Sequence, residues 1–274
     1  MTTDAAYLAT LEPIVTDLIK PLAAELDREA RFPREAITKL GEAGLLGLIS
    51  AKDVGGMGHG LREATEVVER IARDCPATAM VVTMHYAGTT LIELHGPEDI
   101  RREIAAGRHL TTLAWSESGS RSHFWAPVST ATADGDHVLL NASKSMVTSA
   151  GEADSYVWSS QPVAAEGAST IWIVETKRDG LKSPNPFDGL GLRANASAPV
   201  SATDVRVPLA HRLAEAALLV TDTAMRVCGG AAFRKDGGIE RLFRDSRAAA
   251  VMAPTTDVIN DLIARMMCGM PLMD

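Results

Sequence analysis

A chain of 274 residues, 46% hydrophobic and 23% charged, carries enough apolar side chain for a sizeable core and enough charge to remain in solution. Its formal charge of −8 argues against a nucleic-acid partner, because such binding depends on clustered Lys and Arg that neutralise phosphates. No apolar run is long enough to cross a bilayer, and Met1-Thr2-Thr3-Asp4 lacks the basic and apolar regions of a signal peptide, so no membrane is expected and the expected address is cytoplasmic.

From Asp4 to about Gly107 the apolar periodicity is helical. Leu8, Leu11, Val15, Leu18, Ile19 and Leu22 recur at three- and four-residue steps and predict an amphipathic first helix. Phe32-Pro33-Arg34-Glu35 restarts a helix, with Ala36, Ile37, Leu40 and Ala43 on its apolar face and a stop at Gly44. Asp53 to Gly60 is too glycine-rich for regular structure. It has no GKS/T ending and no preceding buried strand, so it reads as a turn and not as a phosphate cradle. A helix follows from Leu61 to Cys75, then one from Thr78 to Leu94 that is apolar almost all round and therefore buried, then a short exposed one from Pro97 to Ala106.

At His109 the texture changes. Leu110–Trp115, Val128–Ala133, His137–Asn141, Tyr156–Ser160, Thr170–Glu175 and Val200–Val207 are short, β-branched or alternating, and turn signals such as Ala133-Asp134-Gly135-Asp136 separate them. They predict an antiparallel β module. Helical texture returns at about Leu213 and runs, with breaks at Cys228-Gly229-Gly230 and near Pro254, to Gly269. The fold class is α+β: a helical domain over residues 1–109, a barrel-like middle β domain over 110–208 and a helical domain over 209–274. Cys75, Cys228 and Cys268 are far apart and without metal-ligand spacing; they read as small buried hydrophobes, and no metal site is expected.

Three stretches carry chemistry when taken together. They are Leu113-Ala114-Trp115-Ser116-Glu117-Ser118-Gly119-Ser120-Arg121-Ser122, then Asn141 to Asp154 with Lys144-Ser145-Met146-Val147-Thr148 inside it, then Thr203-Asp204-Val205-Arg206-Val207-Pro208. In this order the chain resembles the acyl-CoA dehydrogenase family, whose corresponding stretches read TEPxAGSD, NGxKxWITNGxxAD and xxDVRVP. Phe32-Pro33, Gly44-Leu45-Leu46-Gly47 and Gly55-Gly56 match the family's helical entry; Met225 to Gly230 and Glu240 to Asp245 resemble its QxxGG and ERLxRD signatures.

The resemblance implies FAD held between the β module and the last helical block, with an acyl-CoA thioester against the isoalloxazine. It assigns cofactor contacts to the backbone around Ala114, Trp115 and Ser116, to Gly119, to Met146 in place of the family's stacking Trp, to Val147 and Thr148 on the N5 side, and to Gly229, Gly230 and Thr255. Ser122, the Ser of GSD, is assigned to substrate. His123 stands where the family has Asp and reads as a surface imidazole; Glu240 and Asp245 read as partners of Arg241, Arg244 or Arg247.

The chain departs from the family in two places. Met252-Ala253-Pro254-Thr255 stand where many members have YEGT, so Ala253 replaces the Glu that removes the α proton, and Asp257 is the nearest carboxylate. Leu209 to Asp274 supplies 66 residues, at most about 100 Å of helix, so an internal deletion is expected in the terminal bundle. The surviving apolar faces, with Leu218, Val220, Met225, Ile239 and Leu242, then call for a second copy or a related dehydrogenase subunit as cover. The expected function is acyl-CoA oxidation by FAD; the alternatives are a catalytically silent flavin- or CoA-binding subunit and a flavin-dependent monooxygenase on the same fold.

Overall fold

The computed structural model describes residues 6–120, 127–163, 169–184 and 186–215. Residues 6–29 form α1 (Ala6–Ile14) and α2 (Lys20–Glu29), joined without a break by a π turn at Val15–Ile19. Pro21 has no N–H to give the preceding turn and its ring would strike the carbonyl one turn back, and widening the helix relieves both faults. α3 (Arg34–Glu42) follows Pro33, and Gly44 ends its run in the left-handed conformation with φ +75°. α4 (Leu61–Ala72), α5 (Pro76–His95) and α6 (Glu98–Ala105) complete the helical block.

α5 is buried on nearly every side, through Ala79, Val81, Val82, His85, Tyr86, Thr89, Leu91 and Ile92, as its unbroken apolar run predicts. One face packs on α1 to α4, whose Leu11, Val15, Leu40, Val67 and Ile71 form the first core. The opposite face lies on a sheet. Gly88 permits that approach, since a Cβ there would stand 2.9 Å from the Thr111 methyl.

The β module is two facing four-stranded sheets and not a closed barrel. One sheet has the order β1 (Thr111–Ala114), β4 (Ser155–Ser160), β5 (Thr170–Glu175), β8 (Arg212–Glu215). The other has the order β2 (Thr130–Asp134), β3 (His137–Val147), β7 (Ala198–Pro208), β6 (Leu181–Lys182). β4 is buried at all six positions because α5 and α6 cover one face of its sheet and the second sheet covers the other. Between the sheets lie Tyr156, Trp158 and Trp172 against Val138, Leu140, Val200, Val205 and Val207.

The structure corrects two expectations. The module is not wholly antiparallel: β1 pairs in parallel with β4, Thr111 opposite Ser155 through Ala114 opposite Trp158, because the chain crosses to the second sheet and back between them. Nor does helix begin at Leu213. Arg212–Glu215 is an edge strand on β5, with Leu213 buried beside Ile171 and Ile173. Four residues are too few for a period to declare itself.

Candidate functional site

β3 alternates inward Val138, Leu140, Ala142 and Lys144 with outward neighbours, as one face of a packed strand must. The alternation then skips a residue. A register shift against β7 between Lys144 and Val147 inserts Met146 as a bulge with φ +54°, a left-handed conformation uncommon for a side chain of this kind. The shift returns Val147 to the core and turns Met146 outward, where it is 54% exposed. Thr148 is buried, its hydroxyl 3.4 Å from that of Ser197, and the next two N–H groups donate to the carbonyls of Asn195 and Ala196.

The turn after β1 is stitched to this bulge. The Ser145 N–H donates to the Ser116 carbonyl at 2.8 Å, the Ser118 N–H donates to the Ser143 carbonyl at 3.1 Å, and Glu117 bridges Lys144 in antiparallel fashion. Ala114 faces the core between the sheets, and Trp115 packs on the opposite face of the sheet, against the cluster that Leu91, Ile92 and Ile104 form with Val157, Ile171 and Ile173. Ser116 is half-buried and Gly119 exposed, with φ +95° and open space where a Cβ would stand. Two segments far apart in sequence, Trp115–Gly119 and Met146–Thr148, thus lie side by side. Ser122, Gly229, Gly230, Ala253, Thr255 and Asp257 lie outside the described residues, as do His123, Glu240 and Asp245.

Beneath the two segments is a pair that the sequence reading did not single out. Lys144 and Glu117 have wholly buried side chains and form an ion pair. The ammonium also donates to the Ser159 carbonyl at 2.7 Å and to its hydroxyl at 3.0 Å, and stands 5.0 Å from the Trp158 ring centre. Glu117 accepts from the N–H groups of Val128 and Ser129 and from the Ser129 hydroxyl. Burial pulls the Lys144 ammonium down to about 8 even with a carboxylate in contact, so Glu117 is what keeps the charge in place at neutral pH. Removing one partner alone would leave a bare buried charge, at a cost of about 3–5 kcal/mol. The available signal was a charged residue on the inward phase of β3, in step with Val138, Leu140 and Ala142.

A recess of about 380 Å³ opens between α3, the end of α6 and the start of β1. Its arginines are already engaged, Arg34 with Glu152 and Arg108 with Glu103, and it holds none of the predicted residues.

Models of three acyl-CoA dehydrogenase domains match the chain in sequence: the N-terminal domain over residues 3–107, the middle domain over 112–205 and the C-terminal domain over 207–268. The chain therefore belongs to the acyl-CoA dehydrogenase family. Among curated relatives, it is 28% identical over 202 residues to a short-chain specific acyl-CoA dehydrogenase of Clostridium acetobutylicum, which covers 71% of this chain and 53% of that protein. It is 30% identical over 208 residues to the mitochondrial short-chain specific enzyme of Bos taurus, with 72% and 50% covered. A solved glutaryl-coenzyme A dehydrogenase in complex with glutaryl-CoA superposes with a TM-score of 0.71 at 26% identity, over 78% of this chain and 58% of that one. The chain thus spans about half the length of the curated relatives it matches. Among the described residues no helix is long and apolar enough to cross a membrane.

Proposed function

We propose that this chain binds FAD against the face formed by the turn after β1 and the β3 bulge, and that it acts as an acyl-CoA dehydrogenase-like oxidoreductase. The observation that carries the reading is the juxtaposition itself: the turn Ser116–Ser118 is hydrogen-bonded to Ser143–Ser145 at the foot of the exposed Met146 bulge, and among the described residues space is open where a Cβ on Gly119 would stand. A flat ring system fits the residues there. The exposed Met146 thioether offers a polarizable apolar surface, and Gly119 allows close approach. FAD supplies, when bound, a ring that accepts hydride from the substrate. On this reading Met146 packs on the ring, Val147 and Thr148 hold the N5 edge, and backbone around Ala114, Trp115 and Ser116 addresses the pyrimidine edge. The family resemblance assigns Gly229, Gly230 and Thr255 to the same cofactor and Ser122 to the thioester.

Ala253 supports a second reading. Oxidation of an acyl-CoA requires a group that takes the α proton, and this residue cannot. A flavin-binding subunit that relies on a related dehydrogenase, or an enzyme that uses the flavin with oxygen, needs no such group. One experiment separates the readings. The purified chain is mixed with FAD and its visible spectrum followed as an acyl-CoA is added. Bleaching of the bound flavin supports dehydrogenation; bound flavin indifferent to thioesters supports the second reading; no bound flavin sinks both. Asp257→Asn tests the remaining carboxylate: loss of bleaching with flavin still bound would identify it as the proton acceptor.

A further inference from the structure

The Glu117–Lys144 pair is built at the corner where the two sheets meet. Lys144 reaches from β3 in one sheet to the Ser159 carbonyl and hydroxyl on β4 in the other. Glu117 leaves the end of β1, crosses to β3, and gathers the N–H groups that lead into β2. Every anchor is buried: Lys144, Glu117, Ser129 and Ser159 are all at 5% exposure or less. A pair serving general cohesion has no need to join these particular segments. This one joins the two described segments proposed to face the flavin: Glu117 lies within the turn Ser116–Gly119, and Lys144 stands two residues before the Met146 bulge.

We propose that Glu117 and Lys144 are positioning residues that lock the turn after β1 against the β3 bulge, and so set the spacing and tilt of the wall on which the flavin ring lies. The proposal rests on the flavin reading above. Neither side chain touches the ring, since both face the interior; they act through Ser116 and Met146. The lock is electrostatic: at its centre is the ion pair, held at one end by the Ser159 carbonyl and at the other by the Ser129 N–H. Two backbone bonds join turn and strand, and an ion pair in a site of low dielectric resists sliding and tilting more strongly than an apolar contact of the same size. Burial makes the lock mutual, because each charge is tolerated only while the other is present.

The test uses the full chain with FAD as probe. Glu117→Gln combined with Lys144→Met removes both charges at nearly constant volume, so neither is left bare. Apo unfolding, quenching of FAD fluorescence and the shape of the visible flavin band are then recorded for wild type and variant. The double variant is expected to unfold cooperatively near the wild-type midpoint, to bind FAD about tenfold more weakly or worse, and to show a blurred vibronic shoulder on the visible band. A merely structural role would move the midpoint and leave the band shape alone. A folded double variant with unchanged FAD affinity and band shape overturns the proposal. Should the double variant not fold, Glu117→Asp decides, because it keeps the charge and shortens the reach: weakened FAD binding by a cooperatively folded E117D protein supports the lock, and unchanged binding overturns it. Failure of the wild-type chain to bind FAD overturns the flavin reading and the proposal with it, and is distinct from a wild type that binds while its variants bind equally well.

Discussion

His85 sits in the middle of α5 with no exposed surface. Its Nδ1 accepts the Thr111 N–H at 3.2 Å, so the proton is on Nε2, which donates to the Leu46 carbonyl at 3.0 Å. Both ring nitrogens are thus satisfied in the neutral form, and burial pushes the pKa down to about 4 from the usual 6.5. Because the folded value is depressed, the contribution to stability is full above pH 6.5 and is lost as pH falls towards 4, by about 3 kcal/mol at most. Urea unfolding at pH 7 and pH 4.5 should show this. In the His85→Gln variant, whose amide can make both hydrogen bonds without titrating, the loss should be smaller by most of that amount; an equal loss would show that His85 is not its source.

Met146 carries a different kind of cost. A left-handed φ at a non-glycine residue with an exposed apolar side chain is strain that local packing does not repay. Met146→Asn, tolerant of that conformation, should raise apo stability by about 0.5–1 kcal/mol. It should also weaken FAD binding, because the thioether surface is gone. A gain in stability with unchanged FAD affinity would mean that the strain has no role at the proposed site. The sequence exposed Met146 only as a departure from the family pattern. Its conformation comes from the bulge, which depends on how β3 registers on β7.

Elements were legible where their apolar period ran unbroken. The twenty residues of α5 spell out burial on all sides, and the structure buries them so. β3 was expected to end at Asn141 and runs on to Val147, because Ala142 to Ser145 are small or polar and break the apolar alternation. Those residues hold their strand through pairing with β7 and through the charge at Lys144, which an inward position accepts only with Glu117 opposite. The Asn141 side chain likewise exchanges hydrogen bonds with Asp204 across a second irregularity, at 2.9 and 3.0 Å. Close approach of elements is equally invisible in a periodic pattern. α3 touches the turn after α6 at Gly41 and Gly107, where a Cβ on Gly41 would enter the Gly107 carbonyl. Gly41→Ala would ordinarily favour a helix interior. Here it should lower the unfolding free energy by about 1–3 kcal/mol, read from denaturant midpoints, and a stabilised variant would show that the turn yields at no cost.

On the scale of the molecule, an α5–sheet–sheet stack holds the candidate wall on rigid supports, and binding should register as global stability. If FAD binds the folded state alone, a concentration one hundred times its Kd adds about 2.7 kcal/mol, which raises the melting temperature by several degrees. A melting curve that does not move with added FAD, up to millimolar concentration, would count against the proposed function directly.

Composition and periodicity were enough to determine an α+β chain with a helical block leading into paired strands, and the ordered motifs were enough to indicate its family. Both are properties of local residue order: a helix period, a strand alternation and a short motif are each complete within a few residues. The sequence alone could not determine that β1 joins β4 in parallel, that Arg212–Glu215 ends as a strand, or that Glu117 and Lys144 meet beneath the wall. Those features depend on which surfaces are brought together after the chain has crossed between two sheets. Only burial, by excluding water from a charge and its partner, turns two separate polar residues into one structural element.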